Sequence, residues 1–424
     1  HPDSCRIFAA LRTLPGPHSS KPNESIMSEF LTIYGESTKT ALGFFWKSGW
    51  AFVLGYFVSG MIQAFVPKGK LTQYMGDGGF KSVSLSTLFG AASSSCSFAA
   101  LAAARALIKK GAHFIAGVAF MFASTNLVIE LGILILIFLG WQFLVAEIIG
   151  GLILIAISSV LIKMTYPSEW LKKAREKVES EGSDLEEDFD WKKRIKSREG
   201  WQLVGHKFVN DWKMAWEDIL IGFTIAGFVA VLVPESFWSA LFLAEADHLP
   251  DWLVALENAM IAPFVAAATF IGSMGNIPLA TVLNDNGVLF AGIMGFIYSD
   301  LMVPPLVHIN SKYYGWKVAL YIAGVMFISI VCTALILNAL FGLLGIIPES
   351  ERVVSEITQF KIDYTFWMNL VFVWVAGWLA WQNKAYLKDH SMKMMKMEGG
   401  GKVKNVVVKI FILINVVGGV LFFV

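Results

Sequence analysis

Apolar runs of about twenty residues or more recur along the chain, near 46–66, 83–108, 112–139, 142–162, 219–243, 258–283, 288–309, 318–346, 366–381 and 405–424. A run of this length spans the roughly 30 Å hydrocarbon core of a bilayer as a helix. Inside lipid every backbone N–H and C=O must be satisfied within the structure, which leaves only helices and closed barrels. Barrel strands would read as alternating segments of about ten residues, and the sequence has none. Only 16% of the 424 residues are charged, against about a quarter in soluble chains. The fold class expected is therefore an all-α polytopic membrane protein, with the lipid bilayer as its first partner.

Net charge is +1, so nothing favours nucleic acid as a partner. Cys5, Cys96 and Cys332 lie far apart and form neither a disulfide framework nor a CxxC metal site. No haem, phosphate-loop or dinucleotide motif appears, and no cofactor is expected. The stretch to Glu24 is polar and lacks a signal-peptide core. Met27, in "MSEFLTIYGES", reads as the natural start, with 1–26 as an added or misassigned extension.

The charged stretch "EKVESEGSDLEEDFDWKKRIKSREG" divides four apolar segments from six. The expected organisation is an extension and lead-in at 1–43, a first membrane unit at 44–163, and a linker at 164–218. A second membrane unit follows at 219–346, then two further helices at 347–424. Phe208, Trp212 and Trp216, four apart, suggest an amphipathic helix, either in the membrane interface or packed on the membrane domain. The two membrane units look related. At an offset of 176 residues, Ser97 falls on Ser273, Ala104 on Ala280, Leu107 on Leu283, Gly111 on Gly287, Phe114 on Phe290 and Phe120 on Phe296.

Charge decides the topology this implies. If all ten segments cross, the basic stretch 384–404 falls opposite Lys109 and Lys110, against the positive-inside tendency. If 83–108 and 258–283 are instead re-entrant hairpins, both basic regions share the linker's side. The acidic loops "EADHLPDWLVALE" and "PESERVVSE" then fall on the other. About eight full transmembrane helices plus two re-entrant helical hairpins, in an inverted-repeat architecture, are expected.

The hairpin tips would be the polar breaks "GAASSSCS" and "GSMGNIP". Non-helical backbone at membrane depth is tolerated only where protein buries it or a wet cavity adjoins it. The breaks therefore nominate Ser94, Ser95, Cys96, Ser97, Ser273, Gly275 and Asn276 as substrate contacts near the midplane, with Asn126 beside them. Small residues also let helices pack closely, so any single serine has a plainer explanation. Asn276 resists it, because its amide needs several partners. Intramembrane acids mark ion pathways or structural pairs. Asp300, in "GFIYSDLMVPP", and Glu130, after "FASTN", are the coupling candidates. Arg105 is a candidate partner for Asp300 or a snorkelling surface residue. Pro304 and Pro305 should break their helix just after Asp300. Glu147 and His308 are expected near interfaces. The Cys96 thiol could touch a soft metal or metalloid, but one thiol defines no metal site.

The stretches "ASSSCSFAALAAARALIKKGA" (92–112), "FMFASTNLVIELG" (120–132), "FIGSMGNIPLATVLNDNG" (270–287) and "FIYSDLMVPPLVHINSKYYG" (296–315) resemble a predicted permease family that includes the organoarsenical efflux permeases. The resemblance covers roughly 45–346 and implies a multi-pass permease of the cell inner membrane. Arsenical exporters of that family carry a Cys-Ser-Cys-type motif in the first break. Here "SSSCS" keeps only Cys96, with Ser94 where another Cys would stand and Ala102 where a proline often follows. The function expected is movement of a small molecule or ion through the midplane site, with proton or cation coupling. A hairpin-lined channel and a metalloid or organoarsenical exporter stand as alternatives. No nucleophile, base or metal set suggests an enzyme. Homo-oligomerisation is compatible with all of these readings.

Overall fold

A computed structural model of the chain describes residues 22–65, 75–76, 78–93, 97–109, 111–165, 169, 191–243, 249–269, 271–348, 353–389 and 402–423. No strand occurs among them. Helix α1 (Pro22–Phe65) has 44 residues, about 66 Å at 1.5 Å per residue. Then come α2 (Phe80–Ser93), α3 (Ser97–Lys109), α4 (Phe114–Asn126), α5 (Ile129–Phe138) and α6 (Trp141–Thr165). After a short α7 (Trp191–Lys196) come α8 (Arg198–Leu232), α9 (Glu235–Leu241), α10 (Asp251–Thr269) and α11 (Ser273–Asp285). Helix α12 (Phe290–Ile297) continues into a 3-10 turn, Tyr298–Met302, and then α13 (Pro304–Tyr314) and α14 (Trp316–Leu344). A single turn, α15 (Val354–Ile357), precedes α16 (Tyr364–Asp389) and α17 (Lys402–Phe423).

Six of these, α1, α6, α8, α10, α14 and α16, are long and apolar enough to cross a membrane. The number rises to 8 if each of two bent pairs is one span: α4 with α5, bent by 41°, and the α12 segment with α13, bent by 42°. The protein is an all-α polytopic membrane protein. The membership of the eight differs from the sequence reading in one place. Helix α10 has 19 residues, about 28 Å, and can cross alone. The apolar part of α17, Val406–Leu421, is shorter than a span.

The same succession of elements occurs twice, 176 residues apart. Helix α3 runs from Ser97 to Lys109, and α11 from Ser273 to Asp285. Helix α4 starts at Phe114 and α12 at Phe290, while α1 starts at Pro22 and α8 at Arg198. The turn after each second arm is also shared. Gly111 and Gly287 both adopt positive φ, +100° and +79°, a region that glycine enters without steric cost. Ala112 N–H donates to the Leu107 carbonyl at 3.0 Å, and Val288 N–H to the Leu283 carbonyl at 3.1 Å.

Packing keeps the same pattern. Helices α2 and α3 lie on α4, and α10 and α11 on α12. Across the halves α1 packs on α8, α6 on α14, α3 on α13 and α11 on α5. Each second arm thus meets the distal part of the other half's bent helix.

The pairing of α1 with α8 runs across two of the expected boundaries. Helix α8 runs unbroken through 218, and α1 through 43. Phe208 is buried, and Trp212 meets Tyr56 edge-on at 6.0 Å, so this stretch packs on the membrane domain. Asp211 Oδ2 accepts from Gln63 Nε2 at 2.7 Å and from Ser59 Oγ at 3.3 Å. Apolar windows detect only the most apolar part of such helices. The polar end of each is helical because it packs on the far end of the other, antiparallel helix: Gly60 meets Val204 and Phe208, and Gly227 meets Ala41.

Candidate functional site

Each second arm begins where its half is interrupted. The first break holds Ser94, Ser95 and Cys96, which lie outside the described residues, so the soft-ion contact expected of Cys96 does too. Ser97, the first residue of α3, is 4% exposed. Its hydroxyl donates to Asp300 Oδ2 at 2.9 Å. That bond joins the first half's break to the second half's bent helix.

Asp300 sits in the 3-10 turn that ends at Met302, with Pro304 and Pro305 opening α13. The prolines break the helix where expected: proline lacks an N–H and is well suited to a first turn. Asp300 is fully buried, and its Oδ1 makes no hydrogen bond of ordinary geometry. Arg105 instead places its guanidinium over the Tyr313 ring, 4.3 Å from the centroid.

Glu147 is more closely surrounded than the sequence suggested. Expected near an interface, it is 1% exposed within α6, and neither carboxyl oxygen makes a hydrogen bond of ordinary geometry among the described residues. Tyr298 lies beside it, fully buried. The single tyrosine proton serves the Ala146 and Glu147 carbonyls, 3.1 and 3.2 Å away. The Glu147 and Asp300 carboxyls are close enough to interact electrostatically. The sequence signal available was the position of Glu147 well inside an apolar run. The missing signal was the partner, which comes from the other half of the chain.

In the second break Ser273 starts α11, and Gly275 presses on Gly222 of α8. A Cβ on Gly222 would lie 2.5 Å from the Gly275 Cα, so only glycines permit this approach. Asn276 is fully buried, and among the described residues neither its Nδ2 nor its Oδ1 has a hydrogen-bond partner. Pro278 lies inside α11 and leaves the Met274 carbonyl without its usual helical donor. Helix α11 packs on the 3-10 turn carrying Asp300 and on α5.

Glu130 is placed separately from Asp300. It opens α5, is 1% exposed, and packs its Cβ against Gly55 of α1. It interacts electrostatically with Asp211 of α8. Asn126, at the end of α4, donates to the Phe122 carbonyl at 3.1 Å and to Thr125 Oγ1 at 3.2 Å. Its Oδ1 has no partner. Three of the expected residues therefore stand in two acid-centred groups: Ser97 and Asp300 together with Glu147, and Glu130 together with Asp211, neither Glu147 nor Asp211 having been a sequence candidate.

Buried acids and amides at interrupted helices, inside a bundle of membrane-length helices, are the construction of a multi-pass solute carrier. A family described as "Predicted permease" matches residues 34–339, and the chain belongs to that family. It is a membrane permease, seated in the lipid bilayer and handling small substrates. The protein named "Putative permease Rv2963" of Mycobacterium tuberculosis is 35% identical over 346 residues, covering 79% of this chain and 84% of that protein. No solved structure matches the chain.

Proposed function

We propose that this permease moves a small solute across the cell inner membrane through a site between its halves, with Asp300 coupling the movement to protons or another cation. The observation that carries this reading is the Ser97–Asp300 hydrogen bond. It ties a helix start of one half to a buried carboxyl of the other. An ionised carboxylate at membrane depth requires a proton, a cation or a cavity. Asn276 adds an unpartnered amide on the neighbouring α11. Glu130, the other coupling candidate, would act through its own pairing with Asp211.

The two halves are read as inverted repeats. Helices α2 and α3, with 14 and 13 residues, extend about 21 and 20 Å, each too short to cross alone, and are read as a re-entrant pair. The first half then has three crossings, α1, the bent α4–α5 and α6, and an odd number inverts the second half. Alternating access would rock one half against the other about the α1–α8 and α6–α14 contacts.

The test is a solute screen in proteoliposomes under an imposed pH or cation gradient. Wild type should concentrate at least one solute. Asp300→Asn keeps the size and a hydrogen-bonding group but cannot titrate. It should lose gradient-driven accumulation at least tenfold and retain exchange of the same solute. Accumulation at the wild-type level by Asp300→Asn would reject the coupling role. Conductance that does not saturate would instead favour a channel.

A further inference from the structure

Helices α5 and α6 enclose a groove of about 370 Å³, within the roughly 300–1,000 Å³ range of small-molecule sites. Its rim is apolar and faces outward from the bundle. Ile129, Leu136, Ile148 and Leu152 are 46%, 42%, 51% and 52% exposed. Exposed apolar side chains on a membrane-length helix meet acyl chains, so the groove opens sideways into the bilayer. Two polar side chains line it, Asn126 and Glu147, and both are more than nine-tenths buried. Asn126 spends its amide N–H groups on its own helix, leaving Oδ1 free. Neither Glu147 carboxyl oxygen has a hydrogen bond of ordinary geometry among the described residues, Tyr298 being its one polar side-chain neighbour besides Asp300 there.

Three buried acceptors therefore sit on residues that line an apolar trough, and among the described residues no lysine or arginine lines it. Glu147 also faces Asp300, so the local field is acid upon acid. Unpaired polar atoms held away from water are costly unless something completes them. We propose that the α5–α6 groove binds an amphipathic amine from the bilayer. Its alkyl body lies along Ile133, Leu136 and Ile148, and its protonated head donates to Glu147 and Asn126. An alkylammonium head carries three N–H donors, one for each free acceptor, and its charge offsets the paired acids. Entry from the side requires no aqueous mouth. The binding step can be read without translocation, so it stands or falls separately from the coupling role of Asp300.

The experiment uses the full chain in lipid nanodiscs and dodecylamine carrying a mid-chain diazirine. After illumination, labelled residues are mapped by mass spectrometry. Label should fall within residues 129–152 and be displaced by unlabelled dodecylamine. The matching alcohol and fatty acid probes should label these residues at least tenfold less. Glu147→Gln, which keeps shape but loses charge, should reduce amine labelling about tenfold. Leu136→Trp, at an exposed rim position, should block the groove and reduce labelling whether or not the Gln variant folds. Equal labelling by the alcohol, or wild-type labelling in a folded Glu147→Gln protein, would overturn the proposal in favour of ordinary lipid contact. So would the absence of label together with Leu136-to-Leu136 crosslinks between copies after cysteine substitution, which would show a second chain seated there.

Discussion

The bent helices of the two halves reach the same shape by different routes. The first breaks at Leu127–Val128 and the second at Val303, matched positions, with bends of 41° and 42°. The second carries Pro304, Pro305 and a 3-10 turn. The first has no proline at its bend: Leu127 simply leaves helical geometry at φ −101°, ψ 35°, and Val128 is extended. The acids stand on opposite sides of the matched bend, Glu130 three residues after Leu127 and Asp300 three before Val303. The difference teaches that the bend belongs to the packing of the bundle, while the chemistry is set by single residues that need not repeat. The halves share a backbone and divide the roles.

Gly222 offers the largest effect with which to break this comparison. Its close approach to Gly275 grips the second break alone, because the matching residues in the first half are Trp46 and Ala99. Gly222→Leu should cost about 3 kcal/mol through overpacking, read as a lower denaturation midpoint in detergent. Ala99→Leu should cost under about 1 kcal/mol. Equal losses would mean that both breaks are held alike.

The matched serines give an intermediate effect. Ser97→Ala removes a hydrogen bond to a carboxylate, worth about 1.5–3 kcal/mol, and should slow gradient-driven uptake about tenfold. Ser273→Ala should change uptake less than about twofold. Uptake assays returning equal losses would remove the asymmetry between the breaks.

The smallest effect tests the bend itself. Ile129 is the first residue of α5 and matches Pro305. Proline is well tolerated at a helix start, so Ile129→Pro should leave the thermal midpoint nearly unchanged, within about 1 kcal/mol. A loss near 3 kcal/mol would show that the first bend is held open differently from the second.

Much of this architecture was legible in the amino-acid order. Apolar length marked the spans, and Pro304–Pro305 marked the second bend. Ser97 with Ser273, and Gly111 with Gly287, marked the repeated frame. The hidden features depended on contacts between distant segments. The first bend has no proline or glycine to announce it. The neighbours of Glu147, Tyr298 and Asp300, lie some 150 residues away and leave no mark in its own segment. Asp211 sits in a polar stretch and becomes interior only through Gln63 and Ser59 of α1. Charge patterns report on the membrane sides of a chain, but not on which buried acids will be neighbours.

The α1–α8 contact also carries a consequence for how the molecule is made. Helix α1 buries Phe44 and Phe52 against Phe223 of α8, and α8 is synthesised about 176 residues later. At roughly 5–20 residues per second, α1 waits on the order of 10–35 seconds for its main partner. During that interval the first half sits in the membrane with its partner face open to lipid and to insertion factors. Assembly of this permease is therefore gated by translation of its second half, and a ribosome stalled in the linker would leave a membrane-inserted intermediate rather than a finished domain.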